Sequence, residues 1–448
     1  MTGGCAVKPQ ALTSKGLLMS RRFALLAALW LCAAPLLHGQ HWRHSSSKLP
    51  PVIHVDNGPN APAQRSKHYV VLVSLDGFRY DYPRLYGAPH LLAIGHRGAS
   101  APSGMIPSYP SLTFPNHYAI ITGLYPEHNG IVANTFYDPA RKQIYSYRNA
   151  STVTDGSWYG GTPLWSLAEQ QGMRTACFFW PGSEAKIAGE RPTYYLRYTN
   201  NYPDEKRIDQ VIAWLKLPVA QRPHFITLYY PNVDHQGHLH GPDSPEVRDA
   251  VHHVDALMGT LERKLNALHL PIDLIIVSDH GMARVEGNWI TLDKYADLDN
   301  FTTVGALLYP RTEGDANRAY EQLKAADADF KVYRRAHVPA ELHFSSNPRE
   351  GDPVIVPKGP YIIRAHSPSA GQREFTPVGQ HGYNPFQMIS MRAIFFAEGP
   401  DIRPGTTLRP FENVNIYPFI AQILGLKAPK VDGNPWILSK ALRGEAAQ

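Results

Sequence analysis

Apolar runs of strand length alternate with amphipathic runs of helix length along most of this chain. Residues 69–75 (YVVLVSL) are apolar almost throughout, as in a strand covered on both faces. Comparable runs lie at 173–180 (MRTACFFW), 224–230 (HFITLYY), 272–279 (IDLIIVSD) and 392–399 (RAIFFAEG). Between them, a period near 3.6 predicts helices at 162–172, 203–215, 244–268 and 413–425. The stretch LTFPNHYAIITG, 112–123, reads as one more helix. Strands alternating with helices predict an α/β fold, a doubly wound, mostly parallel sheet with helices on both faces. Residues 287–375 or so break the rhythm with short strands, prolines and charge, and predict an inserted small α+β subdomain. Residues 40–66, rich in Pro, Ser, Asn and His and without periodicity, read as a linker.

Residues 1–39 are of another kind. From Met19 onward, Arg21 and Arg22 precede an apolar run from Phe23 to Leu37, followed by Gly39. The run is short for a membrane span and fits a secretory signal peptide, or an N-terminal anchor if it stays uncleaved. Lys8, Lys15, Arg21 and Arg22 are the charges of this leader, so without those four cations the formal net charge of +6 falls to +2. The remainder has no basic excess to hold a stable nucleic-acid partner, and membrane contact is expected only through an uncleaved leader. Cys177 is the one cysteine beyond the leader, so no intrachain disulfide can form there. A eukaryotic secreted enzyme of this size is more often stapled, so the cysteine usage points to a bacterial periplasmic or secreted protein.

Polar residues fall where the apolar strands stop. Asp76, Asp234, Asp279 and His280 follow them closely, at the carboxyl edge where open α/β sheets bind ligands. The stretches SLDGFR (74–79), YPNVDHQGHLHGP (230–242), VSDHGM (277–282) and GQHGYNP (379–385) together supply Asp76, Asp234, His238, Asp279, His280 and His381. All are residue types that bind zinc, and a catalytic zinc takes about three protein ligands with one position left open. Six ligands therefore suggest two zinc ions, a pair suited to clamping the oxygens of phosphoryl transfer. The Asp234–His238 spacing with Gly237 between suits a ligand pair in a loop, and Gly281 after His280 suits a sharp turn. His235 and His240 are expected to face solvent. Thr113 opens the predicted helix and reads either as its N-terminal cap or as a hydroxyl made nucleophilic beside a divalent metal, over a helix end that favours phosphate.

The chain resembles the nucleotide pyrophosphatase/phosphodiesterase family of the alkaline phosphatase superfamily over about residues 68–435. The motifs carrying the resemblance are SLDGFR, PSLTFPNHYAIITGLYPEHNGI (110–131), NTFYD (134–138), DHQGHLHGP and SDHGM. It implies a catalytic domain over 67–440 with Thr113 as nucleophile. One Zn2+ would be held by Asp234, His238 and His381, the other by Asp76, Asp279, His280 and Thr113. Asn134 is implied to donate to a phosphate oxygen beside the Thr113 N–H. Phe114 and Tyr198 are implied to sandwich a nucleobase, with Tyr229 nearby. The implied reaction is hydrolysis of nucleotide phosphodiester and phosphoanhydride bonds through a phospho-threonine intermediate, releasing nucleoside 5′-monophosphate.

Neighbouring chemistries are weighed by single residues. No Cys lies in the C-x-P-x-R context that sulfatases require, and Thr113 is followed by Phe114, Pro115 and Asn116 rather than by the Arg of phosphomonoesterases. A diester, with one charge fewer and an organic substituent, fits better. Two alternatives stay open at this point: a choline-lipid or glycerophosphodiester phosphodiesterase on the same scaffold, and a non-catalytic zinc or nucleotide binding protein.

Overall fold

The computed structural model describes residues 49–287, 289–367 and 376–444, so the leader lies outside the described residues. The apolar runs form a nine-stranded sheet: β1 Ile53–His54, β2 Tyr69–Leu75, β3 Ala99–Ser100, β4 Thr175–Phe178, β5 Tyr194–Leu196, β6 Phe225–Tyr230, β7 Ile272–Val277, β8 Phe395–Glu398 and β9 Thr406–Thr407, in the spatial order β1-β5-β4-β6-β2-β7-β8-β3-β9. The five strands from β5 to β7 run parallel. β1 and β8 pair antiparallel at either side of that block.

The alternation of side chains along each strand sorts the core into two layers. Val70 and Leu72 of β2, with Ile275 and Val277 of β7, pack against helices α1 Thr113–Thr122, α2 Leu164–Gln170 and α3 Ile416–Leu424. Tyr69, Val71 and Val73, with Leu274 and Ile276, pack on the other face against Pro89–Arg97, Asp204–Leu215 and Pro245–Asn266. The central strands are buried at every position, which is why their sequence is continuously apolar rather than alternating.

The expected linker is in part integral to the fold. Within residues 40–66, Ile53 and His54 pair with Tyr195 and Tyr194 at the edge of the sheet. The Asn60 side chain is buried, donates to the Val219 and Arg222 carbonyls, and accepts from the Arg174 N–H. Two residues of pairing and one asparagine leave no periodicity in a sequence. The stretch 290–364 holds a hairpin of Phe301–Val304 with Leu307–Pro310, a helix Glu313–Lys324, and Phe330–Tyr333 paired with Val354–Pro357. It has a small core of its own around Leu292, Leu308, Leu323 and Phe330, while Leu342, Phe344 and Val354 join the main core. The described residues from 49 to 444 thus make one compact unit.

Candidate active site

Thr113 is the first residue of its helix, and Leu112, in an extended conformation, occupies the cap position with no side-chain capping bond. The capping reading of Thr113 therefore falls away. Its Oγ1 instead lies 3.3 Å from His280 Nε2. The turn that presents it is pinned by buried Asn116, whose Nδ2 donates to the Pro110 and Leu112 carbonyls and whose Oδ1 accepts from Asn413.

Two groups of ligand-type side chains meet at the carboxyl ends of β2, β6 and β7. Asp76, directly after β2, lies with Oδ1 3.6 Å from His280 Nε2, and Asp279 Oδ2 is 3.0 Å from the same nitrogen. Asp234 Oδ1 lies 3.4 Å from His238 Nε2 and 3.6 Å from His381 Nε2, and these two nitrogens are 3.2 Å apart. The His280 and His381 rings stack at 3.5 Å, joining the two groups. All six sequence-predicted ligands and Thr113 thus share one centre. Asp234 and His238 sit not in a loop but one turn apart on helix α4, Asn232–His240, a segment too short and too polar to show a helical stripe. His235 and His240 are exposed, as expected.

Glycine makes the crowding feasible. Gly77 has φ 66°, and a Cβ there would lie 2.7 Å from the Asp234 Cα. Gly281 serves close approach rather than a left-handed turn, since a Cβ there would meet the Ser390 carbonyl oxygen at 2.0 Å.

The donor chemistry fits a metal centre. Each histidine donates its Nδ1–H to a backbone carbonyl at 2.9 Å: His238 to Gly379, His280 to Gly281 and His381 to Ser111. A carbonyl only accepts, so all three rings carry a proton on Nδ1, and each ring in its neutral form presents an Nε2 lone pair to the centre. Asp76 Oδ1, Asp234 Oδ1 and Asp279 Oδ2 are buried without any hydrogen-bond partner. Ligand atoms of Asp76, Asp279 and His280, and of Asp234, His280 and His381, come within 4.8 Å of one another. Burial, then the Asp279 and Asp234 carboxylates, hold Asp76 well above the usual carboxylate range. Burial and the His280 and His238 rings hold His381 well below its usual value, in the neutral form a ligand needs. Converging carboxylates with orphaned oxygens and inward lone pairs call for cations.

A cleft of ≈ 1200 Å³ opens over this centre, lined by Thr113, Phe114, Asn134, Tyr198 and Tyr229. Asn134 Oδ1 accepts from the Phe114 N–H at 2.9 Å, so one of the helix-end donors is already taken and the amide Nδ2 of Asn134 is the group left to donate. Phe114 packs against Tyr147 at 5.4 Å, and Tyr198, nearly half exposed, packs against Phe179 at 5.2 Å. Tyr229 donates to Asp76 Oδ2 at 2.5 Å, which makes it a partner of a ligand as well as part of the wall.

Sequence reasoning missed several contributors. His117 is buried, with Nδ1 2.9 Å from the Thr113 carbonyl and Nε2 2.8 Å from Ser74 Oγ, and touches Asp279 Oδ2 at 3.4 Å. Its place one turn after Thr113 is the signal that was available. Tyr147 and Trp289 line the cleft from distant segments and left no local signal.

The profile of the type I phosphodiesterase/nucleotide pyrophosphatase family matches residues 70–384. The chain belongs to this family. Within it, the chain is 34% identical over 387 residues to an uncharacterised pyrophosphatase/phosphodiesterase of Schizosaccharomyces pombe, covering 81% of this chain and 78% of that protein. Against human ectonucleotide pyrophosphatase/phosphodiesterase family member 1 it is 35% identical over 406 residues, 86% of this chain but 43% of the human protein. The chain thus spans under half the length of that relative. Human ectonucleotide pyrophosphatase/phosphodiesterase 5 superposes with a TM-score of 0.78 at 30% identity, covering 84% of this chain and all of that one. An inactive threonine-to-alanine form of the murine protein, solved with AMP, superposes equally well at 29% identity.

Proposed function

We propose that this type I phosphodiesterase family member is an exported two-zinc hydrolase that cleaves nucleotide phosphodiester and phosphoanhydride bonds and releases nucleoside 5′-monophosphate. The observation that carries the reading is the placement of Thr113 Oγ1, 3.3 Å from His280 Nε2 and at the mouth of an aromatic-walled cleft.

Asp234, His238 and His381 would hold one zinc, and Asp76, Asp279 and His280 the other. Their charge would lower the pKa of the Thr113 hydroxyl and offset charge on the phosphoryl oxygens. Thr113 Oγ1, losing its proton to solvent, forms a bond to phosphorus as the bond from phosphorus to the leaving oxygen breaks, giving a phospho-threonine nucleotide, and the leaving oxygen takes a proton from solvent. Water then cleaves the Thr113–phosphorus bond, frees the monophosphate and restores the hydroxyl. Asn134, anchored through its carbonyl by the Phe114 N–H, offers its amide protons to a non-bridging oxygen, a neutral donor aimed at developing charge. Phe114 and Tyr198 supply flat faces for a base, a mode that tolerates any base because each has a π surface.

Turnover of p-nitrophenyl thymidine monophosphate, p-nitrophenyl phosphate and p-nitrophenylphosphorylcholine, with and without a chelator, tests this. The thymidine ester is expected to be the best substrate and to lose turnover in the chelator. Preference for the phosphorylcholine ester would replace the nucleotide with a choline-lipid headgroup. No turnover of any would leave a binding protein.

A further inference from the structure

Strands β2 and β7 carry the active-site ligands just beyond their carboxyl ends, and a second set of the same residue types sits at their amino ends. His68 immediately precedes β2, and Asp273 is the second residue of β7, paired in register with Val70. Asp401 reaches them from the turn after β8. Ligand atoms of the three lie within 4.8 Å of one another, as do those of Asp76, Asp279 and His280.

We propose that His68, Asp273 and Asp401 form a third divalent-metal site, structural rather than catalytic, that clamps the amino edge of the sheet. Asp273 is fully buried; its Oδ1 accepts from the Asp401 N–H at 3.0 Å, while its Oδ2 has no partner. Asp401 Oδ2 lies 2.6 Å from His68 Nδ1, so the two aspartates and the imidazole already face one another. The backbone makes room for this: a Cβ at residue 399, a glycine, would lie 2.3 Å from Asp273 Oδ1. Burying a second carboxylate beside Asp401 costs free energy unless a cation or a proton is shared. Arg443, whose Nε donates to the Ile402 carbonyl, lies close enough to offset part of that charge. One imidazole with two carboxylates is a donor set for zinc or a similar borderline ion, not the all-oxygen set that calcium or magnesium prefers. His68 is about one-third exposed, which gives an ion a path inward.

The seven residues of β2 separate this site from the catalytic centre by about 20 Å, far enough for the two to act independently. The experiment uses the full chain, stripped by chelation and reloaded with Zn2+, with metal counted per chain. The wild type is expected to take up three equivalents, and His68→Gln and Asp401→Asn two each. Both variants are expected to keep phosphodiesterase kcat/KM within about twofold of wild type and to lose the increase in Tm that the third equivalent confers. Identical stoichiometry in all three proteins would overturn the proposal. Anomalous diffraction at the zinc edge from wild-type crystals decides independently of how the variants fold. A peak about 2.0–2.2 Å from His68 Nδ1 and from oxygens of Asp273 and Asp401 supports the site. Its absence with the catalytic centre filled means that the carboxyl pair shares a proton instead.

Discussion

The two halves of the proposed catalytic centre are built differently. Asp76, Asp279 and His280 emerge from the two central strands and are essentially inaccessible to solvent. Asp234 and His238 stand on a nine-residue helix, with 18% and 26% of their side chains exposed. His381, buried between them, arrives from the far side of the insertion. The proposed nucleophile lies against the rigid half, where Thr113 Oγ1 meets His280, and the open half faces the cleft. In the proposed reaction the difference separates two demands: the attacking oxygen needs a fixed position, while the group that leaves and the water that follows need a way in and out.

That contrast breaks hardest at Thr113. Thr113→Ala is expected to lower kcat by about 10⁴-fold or more, with metal content and Tm close to wild type; retained turnover in steady-state assays would remove the residue as nucleophile. Next come the histidines of the two halves. His280→Ala is expected to lose both zinc and thermal stability, because it empties a fully buried position stacked on His381. His238→Ala is expected to lose zinc while Tm in the presence of chelator stays within a few degrees of wild type. Metal analysis with scanning calorimetry on both variants reads this split, and equal losses of Tm would erase the distinction between the halves.

Asn134→Ala is expected to cost about 10²–10³-fold in kcat, as for removal of one oxyanion donor, without changing metal content. Tyr229→Phe removes only the donor to Asp76 and is expected to cost about 10–100-fold in metal affinity or activity. Competition with a chelator measures that loss, and an unchanged affinity would return Tyr229 to a purely lining role.

The strands, the principal helices and the six candidate ligands were legible because each depends on local pattern: an apolar run, a period, and a polar residue where the run ends. What was not legible depends on partners far away in sequence. The short helix carrying Asp234 and His238 has little amphipathic stripe and is held by its surroundings, so its residues read as a loop. The pairing of Ile53 and His54 with the Tyr194–Leu196 strand spans more than 100 residues and leaves no mark in either segment. Thr113 looked like a cap because Thr is a common one; only the extended backbone at Leu112 assigns the cap to the residue before it. Asn134 was found through its motif, but the bond that orients it goes to a backbone N–H, which no residue type encodes.

The insertion begins just after Asp279 and His280 and ends just before His381, so the chain leaves the centre on one ligand and returns on another. An ion held by His280 and His381 together would fasten the two ends of this excursion of about a hundred residues, lowering the entropy of the unfolded chain as a covalent crosslink does. In a protein whose one described cysteine, Cys177, is buried and unpaired, the catalytic centre would then also serve as the staple that a disulfide supplies elsewhere.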